Sequence, residues 1–467
     1  MSELDLSPDV LVVGGGIAGA LAAVRAKEKG ARVILVHRPG GGTAASSGAL
    51  DCGDELYGLT PGPGVDALDR GGRWRRGVEL LAARQPRHPF SRVGDKGRER
   101  LREALALCKQ VAQRGGLELV ERDDGQNHLV ATQLGTVKRA ALVQKSQQLD
   151  LAALEPDATV AIVDPLDLAN FGARPVAHLL GFIASMSARK VTFTTLGVER
   201  ALPSNALAGS TVHDDALAMA RALDDEGKRA AFCEALRNAL RRAARPAHHL
   251  LMPPILGVDK HVAVVNDIER AVGRPVKELL ALPPSAPGAR LARALLKGAK
   301  ERGVVVVEGA ARAANVQGRR VASVTVEGQQ LTAELTPRSV VLASGRFLSG
   351  GVVRDQVARE PLFSLPVTAD GRPLDDGFIG LFTGEVPEAE HAIFRAGVAV
   401  DANLAPIDRR GAALFENLVC AGSVVEGWDP ARDGAAGGVA ALTGLLAGEG
   451  AALIAGFSRS GPVARAG

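Results

Sequence analysis

Six residues near the start of the chain, Gly14-Gly15-Gly16-Ile17-Ala18-Gly19, constrain its fold most, because of what flanks them. Before them runs Val10-Leu11-Val12-Val13, a short apolar β-branched segment that reads as a buried strand. After them, Ala20 to Lys29 is rich in Ala and reads as a helix that Gly30 ends. Arg32-Val33-Ile34-Leu35-Val36 is then a second strand. The segment is a βαβ unit of about thirty residues, the setting that makes a GxGxxG match meaningful. In that reading Gly14 permits the tight turn, Gly16 lets a phosphate approach the backbone, and Gly19 lets helix and strand pack closely. Gly15 and Ala18 line the same turn, and the helix start offers N–H groups and a positive dipole end to an anion.

A length of 467 residues points to two domains. Aromatic residues make up 3% of the chain, too few for a stacking platform on nucleic acid, and the net charge of +4 reads as a solvated surface. Cys52, Cys108, Cys233 and Cys420 are far apart and form no CxxC pair, so neither an iron–sulfur nor a zinc site is expected. A reducing compartment fits that cysteine usage. The first residues carry Glu3, Asp5 and Asp9 and no basic segment, so no signal peptide is expected. Val439 to Phe457 is the longest apolar stretch and reads as a buried core helix rather than a membrane span.

Strand-then-glycine signals recur late in the chain. Ser339-Val340-Val341-Leu342 ends in Ala343-Ser344-Gly345, and Leu418-Val419-Cys420-Ala421 ends in Gly422-Ser423. Gly437-Gly438 opens the last helix. Ala289 to Arg302 reads as a helix, followed by Val304 to Val307 and a hairpin over Val321 to Leu335. Pro and Gly mark boundaries at Leu59 to Gly72 and Pro283 to Gly288. The expected fold class is α/β. It has a Rossmann-like FAD/NAD(P)-binding domain, discontinuous over residues 1–70, 285–360 and 400–467. An α+β cap or substrate domain, residues 71–284 and 361–399, is inserted in it.

Three segments carry a family resemblance. They are the N-terminal fingerprint with Ser46-Ser47-Gly48-Ala49-Leu50-Asp51; Val340 to Val353 followed by Arg359-Glu360-Pro361; and Glu416 to Pro430 continuing to Gly437-Gly438-Val439. With shorter echoes between them, the chain resembles a flavoprotein subunit of the anaerobic glycerol-3-phosphate dehydrogenase, within the fumarate reductase/succinate dehydrogenase-like flavoproteins. The resemblance implies a flavin and the oxidation of sn-glycerol 3-phosphate to dihydroxyacetone phosphate. It also implies an electron path to membrane quinone through two partners: a second flavoprotein subunit and a membrane-docked iron–sulfur subunit. The expected location is cytoplasmic, peripheral to the inner membrane through those partners.

One departure leaves the flavin open. The second strand ends in His37 and Arg38, where an FAD-type unit usually has a carboxylate for a ribose. A His–Arg pair favours phosphate, so FMN stands beside FAD; alternatively both are surface residues at a strand end. The flavin is expected to be noncovalent, since the loop with Ser46, Ser47 and Gly48, which would hydrogen-bond it, lacks a histidine for attachment. Gly437-Gly438 with Gly422 and Ser423 would face negative charge on the reduced ring. Arg290 and Arg346 are candidates for a substrate phosphate. His178, His249 and His391 lie in the expected cap without a motif, so the catalytic base is unassigned. Two other readings stand: a free-standing flavin oxidoreductase acting on another small acid, and a non-catalytic electron-relay subunit.

Overall fold

Val10–Val13 are buried on both faces and can only be satisfied by strands on either side. The structure, a computed structural model, supplies them in a seven-stranded sheet. From one edge the order is Thr332–Leu335, Arg320–Gly328, Val305–Gln317, Val33–His37, Val10–Val13, Ser339–Leu342, Leu418–Cys420. The last five run parallel, and in chain order they stand third, second, first, fourth, fifth. That is the doubly wound nucleotide-binding arrangement, in which ligands bind beyond the carboxyl ends of the strands where the order reverses. The reversal lies beside Val10–Val13, where Val12 pairs with Leu35 on one side and Val341 on the other. Val341 in turn pairs with Val419, so the sheet is assembled from both ends of the chain. The described residues are 6–55, 72–149, 151–166, 168–186, 190–199, 215–328, 332–355, 357–374, 383–384 and 390–457. The acidic start at Glu3 and Asp5, and the expected boundary from Leu59 up to residue 71, lie outside them.

The chain divides into two compact units, 1–42 with 75–117 and 292–467, and 43–74 with 118–291. Four stretches differ from the sequence expectation, the shortest being residues 285–291, which belong to the second unit. Residues 75–117 join the sheet unit, because the Leu101–Arg114 helix closes on the Ala286–Glu301 helix, where a Cβ at Gly298 would strike the Val111 carbonyl. The described residues of 361–399 also join it. Residues 43–55 belong to the second unit, where Leu50 exchanges backbone hydrogen bonds with Leu142 and Ala141 and Asp51 pairs with Lys138 at 3.0 Å. That unit is built on a four-stranded parallel sheet: Val276–Glu278, His249–Met252, Thr159–Pro165 and Thr192–Val198.

The last helix, Ala436–Ile454, is long and apolar enough to cross a membrane, yet 67% of that stretch is buried. Small residues explain where it goes. A Cβ at Gly444 would lie 2.5 Å from the Ala18 carbonyl oxygen, and Gly448 meets Ala22 in the same way. The helix therefore packs backbone to backbone on Ile17–Glu28, under the sheet.

Its one carboxylate, Glu449, knots three helices. Arg25 reaches it at 2.8 Å, and Arg100 at 2.9 and 3.0 Å, while both arginines also hold Glu103. Burial opposes ionisation of Glu449, but the hydrogen bonds from Arg100 and Arg25 outweigh it and bring its pKa down to about 2. A folded value below the ordinary 4.5 gives stability that is present above that pH and lost as pH falls toward 2. Glu449→Gln is expected to cost about 1–2 kcal/mol at neutral pH, discounted for partial solvent screening. Its urea midpoint should approach the parent's as the pH is lowered through that window, and a gap that persists unchanged at acid pH would contradict the carboxylate's role.

Candidate flavin site

The turn after Val13 is closed by the Gly14 N–H donating to Val36 at 2.8 Å, and Ala343 donates to Val13 at 2.8 Å. Gly14 takes φ +115°, where L side chains are strained, and a Cβ there would collide with the Ala343 carbonyl. A Cβ at Gly19 would collide with the carbonyl of Gly14 itself. Gly15 makes room for His37, whose Cβ would lie 2.6 Å from an added methyl. Gly16 is the N-cap of the Ile17–Glu28 helix, with no side chain capping it and no acidic residue in the first turn. Such a helix start leaves its positive dipole end to a ligand anion.

The neighbouring strand ends converge on this turn. Ala343, Ser344 and Gly345 follow Ser339–Leu342, and Gly345 has φ +79°. The Ser344 hydroxyl is buried and has no hydrogen-bond partner among the described residues. Gly422, at φ +73°, approaches Ala18 so closely that a Cβ would sit 2.8 Å from the alanine methyl. Its N–H donates to Thr443 Oγ1 of the last helix at 2.8 Å. That helix starts at Ala436 with Gly437 and Gly438 buried, no side-chain cap and no acidic residue in its first turn. Arg38 is exposed and donates to the Ser349 carbonyl at 3.2 Å. A glycine cradle, an orphaned buried hydroxyl and two helix starts without side-chain caps fit a nucleotide bearing phosphate.

Ser46, Ser47 and Gly48 belong to the second unit. Ser46 Oγ donates to Thr43 at 2.8 Å and accepts from the Gly48 N–H at 3.2 Å. The Ser47 hydroxyl is buried without a partner among the described residues. Two buried glutamines hold this loop: Gln144 donates to the carbonyls of Gly48 and Pro287 at 3.2 and 2.8 Å, and Gln147 donates to Ser47 at 2.8 Å. The sequence reading did not single them out, although their three-residue spacing matches the capping box they form around Lys145–Gln147.

The two candidate substrate arginines are both engaged inside the protein. Arg346 is buried and donates to the carbonyls of Ser423 at 2.8 Å, Val425 at 3.0 Å, Trp428 at 3.2 Å, and Phe394. Burial lowers its pKa to about 10, against the fields of Asp429 and Asp433, so it remains a cation at neutral pH. Arg290 forms a buried fork with both oxygens of Glu278 at 2.7 Å and touches His261. Burial, then the charge of Arg290, push His261 down to about 3, leaving it neutral. Both guanidiniums are committed to the chain's own oxygens and are poorly placed to clamp a phosphate. Of the three unassigned histidines, His178 is exposed, His249 is half-buried, and His391 accepts from the Gly384 N–H at 2.9 Å. Among the described residues no cluster of metal-ligating side chains occurs, and all four cysteines are buried and outside any disulfide.

A doubly wound sheet with a glycine-rich first turn defines a dinucleotide-binding flavoprotein class. The chain belongs to the FAD binding domain family, which it matches over residues 9–439, and within it to a family of anaerobic glycerol-3-phosphate dehydrogenase subunits. It is 30% identical to the family's member in Pectobacterium atrosepticum over 94% of this chain and 96% of that protein. To the member in Vibrio cholerae serotype O1 it is 28% identical over 93% and 94%. Among solved structures it is similar to the open conformation of a flavocytochrome c3 fumarate reductase at 12% identity, covering 97% of this chain and 79% of that one, with a TM-score of 0.42. The fold assignment rests on the sheet and the family match, and of the two flavins the sequence left open, the family is that of FAD.

Proposed function

We propose that this chain is the flavoprotein subunit of a quinone-linked glycerol-3-phosphate dehydrogenase, oxidising sn-glycerol 3-phosphate to dihydroxyacetone phosphate. The observation that carries the reading is the end-to-end similarity to anaerobic glycerol-3-phosphate dehydrogenase subunits, 28–30% identical over at least 93% of the chain. Removing two hydrogens from the secondary alcohol takes a hydride from carbon and a proton from oxygen, and bound FAD supplies the two-electron acceptor. The chain's own residues hold that cofactor. Gly14 to Gly19, Ala343 to Gly345, Gly422 and Ser423 shape the strand ends, and the last helix, with no acidic residue in its first turn, turns its positive dipole end to developing negative charge. Electrons pass onward to membrane quinone through a second flavoprotein subunit and a membrane-docked iron–sulfur subunit. The complex places this chain on the cytoplasmic face of the inner membrane through those partners.

A non-catalytic relay role has an observation of its own, since Arg290 and Arg346, the arginines expected to hold a phosphate, are both taken up internally. Glycerol 3-phosphate with a reducible dye, given to the purified chain alone and with its partner subunits, separates the two. Turnover by the lone chain establishes the dehydrogenase; turnover only with partners assigns it the relay. Acid precipitation is expected to release all the FAD into the supernatant, and colour left on the pellet would refute noncovalent binding.

A further inference from the structure

We infer that Arg346 is a positioning residue of the FAD site: it fixes the segment from Gly422 to Trp428, between the last parallel strand and the last helix. The inference rests on the assignment of the flavin site to the strand ends of the sheet unit.

The guanidinium follows Ser344-Gly345 directly, so it is anchored on one strand end. It reaches across to the next, where Nε donates to Ser423 and the two terminal nitrogens donate to Val425, Trp428 and Phe394. Its guanidinium carbon stands 5.1 Å from the centre of the Trp428 ring, which it covers. Trp428 Nε1 also donates to Val425 at 3.0 Å, so side chain and backbone of the segment close on the same carbonyls. Among the described residues no carboxylate lies within ion-pairing distance of Arg346. A buried cation whose hydrogen bonds all go to carbonyl oxygens, with the Trp428 ring and the fields of Asp429 and Asp433 beside it, is still costly to desolvate, and the fold keeps it where two site-forming segments must be held together.

What it holds faces the glycine turn. Gly422, beside the Arg346 acceptor Ser423, makes the close approach to Ala18, and Ser344, two residues before Arg346, carries the orphaned buried hydroxyl. The planar fork has donors in fixed directions for these carbonyls, which a lysine ammonium on a flexible stem cannot reproduce.

The test measures FAD binding to the full chain by fluorescence quenching, with visible circular dichroism of the bound flavin and thermal unfolding of the FAD-free protein. Arg346→Met is expected to weaken FAD binding about tenfold or more and to alter the bound-flavin dichroism. Arg346→Lys should recover only part of the affinity, because it restores charge without the fork. Wild-type affinity and dichroism in a folded Met variant would overturn the inference, and so would a Lys variant equal to wild type in both. If the Met variant does not fold, the Lys comparison decides alone. Gly16→Val separates the underlying assignment: FAD retention in that variant removes the glycine turn from the site. FAD loss there with normal binding in the Arg346 variants rejects only the role of Arg346.

Discussion

Gly19→Ala is expected to yield a protein that retains no FAD on gel filtration and has lost about 4 kcal/mol of stability. The added Cβ would fall inside the van der Waals radius of the Gly14 carbonyl oxygen, and its next neighbour is the Ala343 methyl. Neither can give way, because the first belongs to the backbone of the turn and the second to an adjacent strand end. Relief requires the helix to move off the sheet, which withdraws the Gly16 helix start from its ligand. Flavin absorbance per chain and the denaturant midpoint report the two effects. A Gly19→Ala protein with stoichiometric FAD and an unchanged midpoint would mean that the turn is neither as tight nor as central as described.

Breaking the Arg290–Glu278 pair is expected to have the second large effect, on stability. Arg290→Met should cost about 3–5 kcal/mol, because it leaves a carboxylate with no solvent access and no cation. Among the described residues Glu278 would keep only the Leu256 N–H at 2.9 Å and the Ser146 hydroxyl at 3.3 Å. Combining it with Glu278→Leu should recover most of the loss, since a well-packed apolar pair avoids the desolvation that the ion pair must offset. Were Arg290 a substrate ligand instead, the single variant would unfold like wild type and show its defect only in substrate binding. Chemical denaturation of the single and double variants distinguishes the two roles.

Local segments were legible in the sequence, and their partners were not. The first turn could be read because strand, glycines and helix follow one another within a short window, so that periodicity and spacing carry the signal together. The later strand ends at Ser344 and Gly422 were legible for the same reason. The partners of the two arginines were not legible, because nothing near them in sequence announces them. Those of Arg346 are backbone carbonyls between 48 and 82 residues away, a contact no side-chain motif encodes. Gln144 and Gln147 went unnoticed because glutamine has no chemistry that marks it out, and only the fold shows that Ser47, Gly48 and Pro287 are their acceptors.

By itself the sequence determined that a parallel sheet with a nucleotide-binding turn would form, that the chain would return to it after a long excursion, and that the last helix would be apolar but for Glu449. These follow from hydrophobic period, β-branched runs and glycine placement, which act over a few residues and are written in the chain. Tertiary structure alone decided that residues 75–117 join the sheet unit and that residues 43–55 leave it. It decided what the last helix packs on, because Gly444 and Gly448 meet Ala18 and Ala22 backbone to backbone. It also assigned the two arginines to the architecture. Each of these outcomes depends on complementary shape or charge between segments far apart in sequence, and that complementarity exists only once the chain has folded.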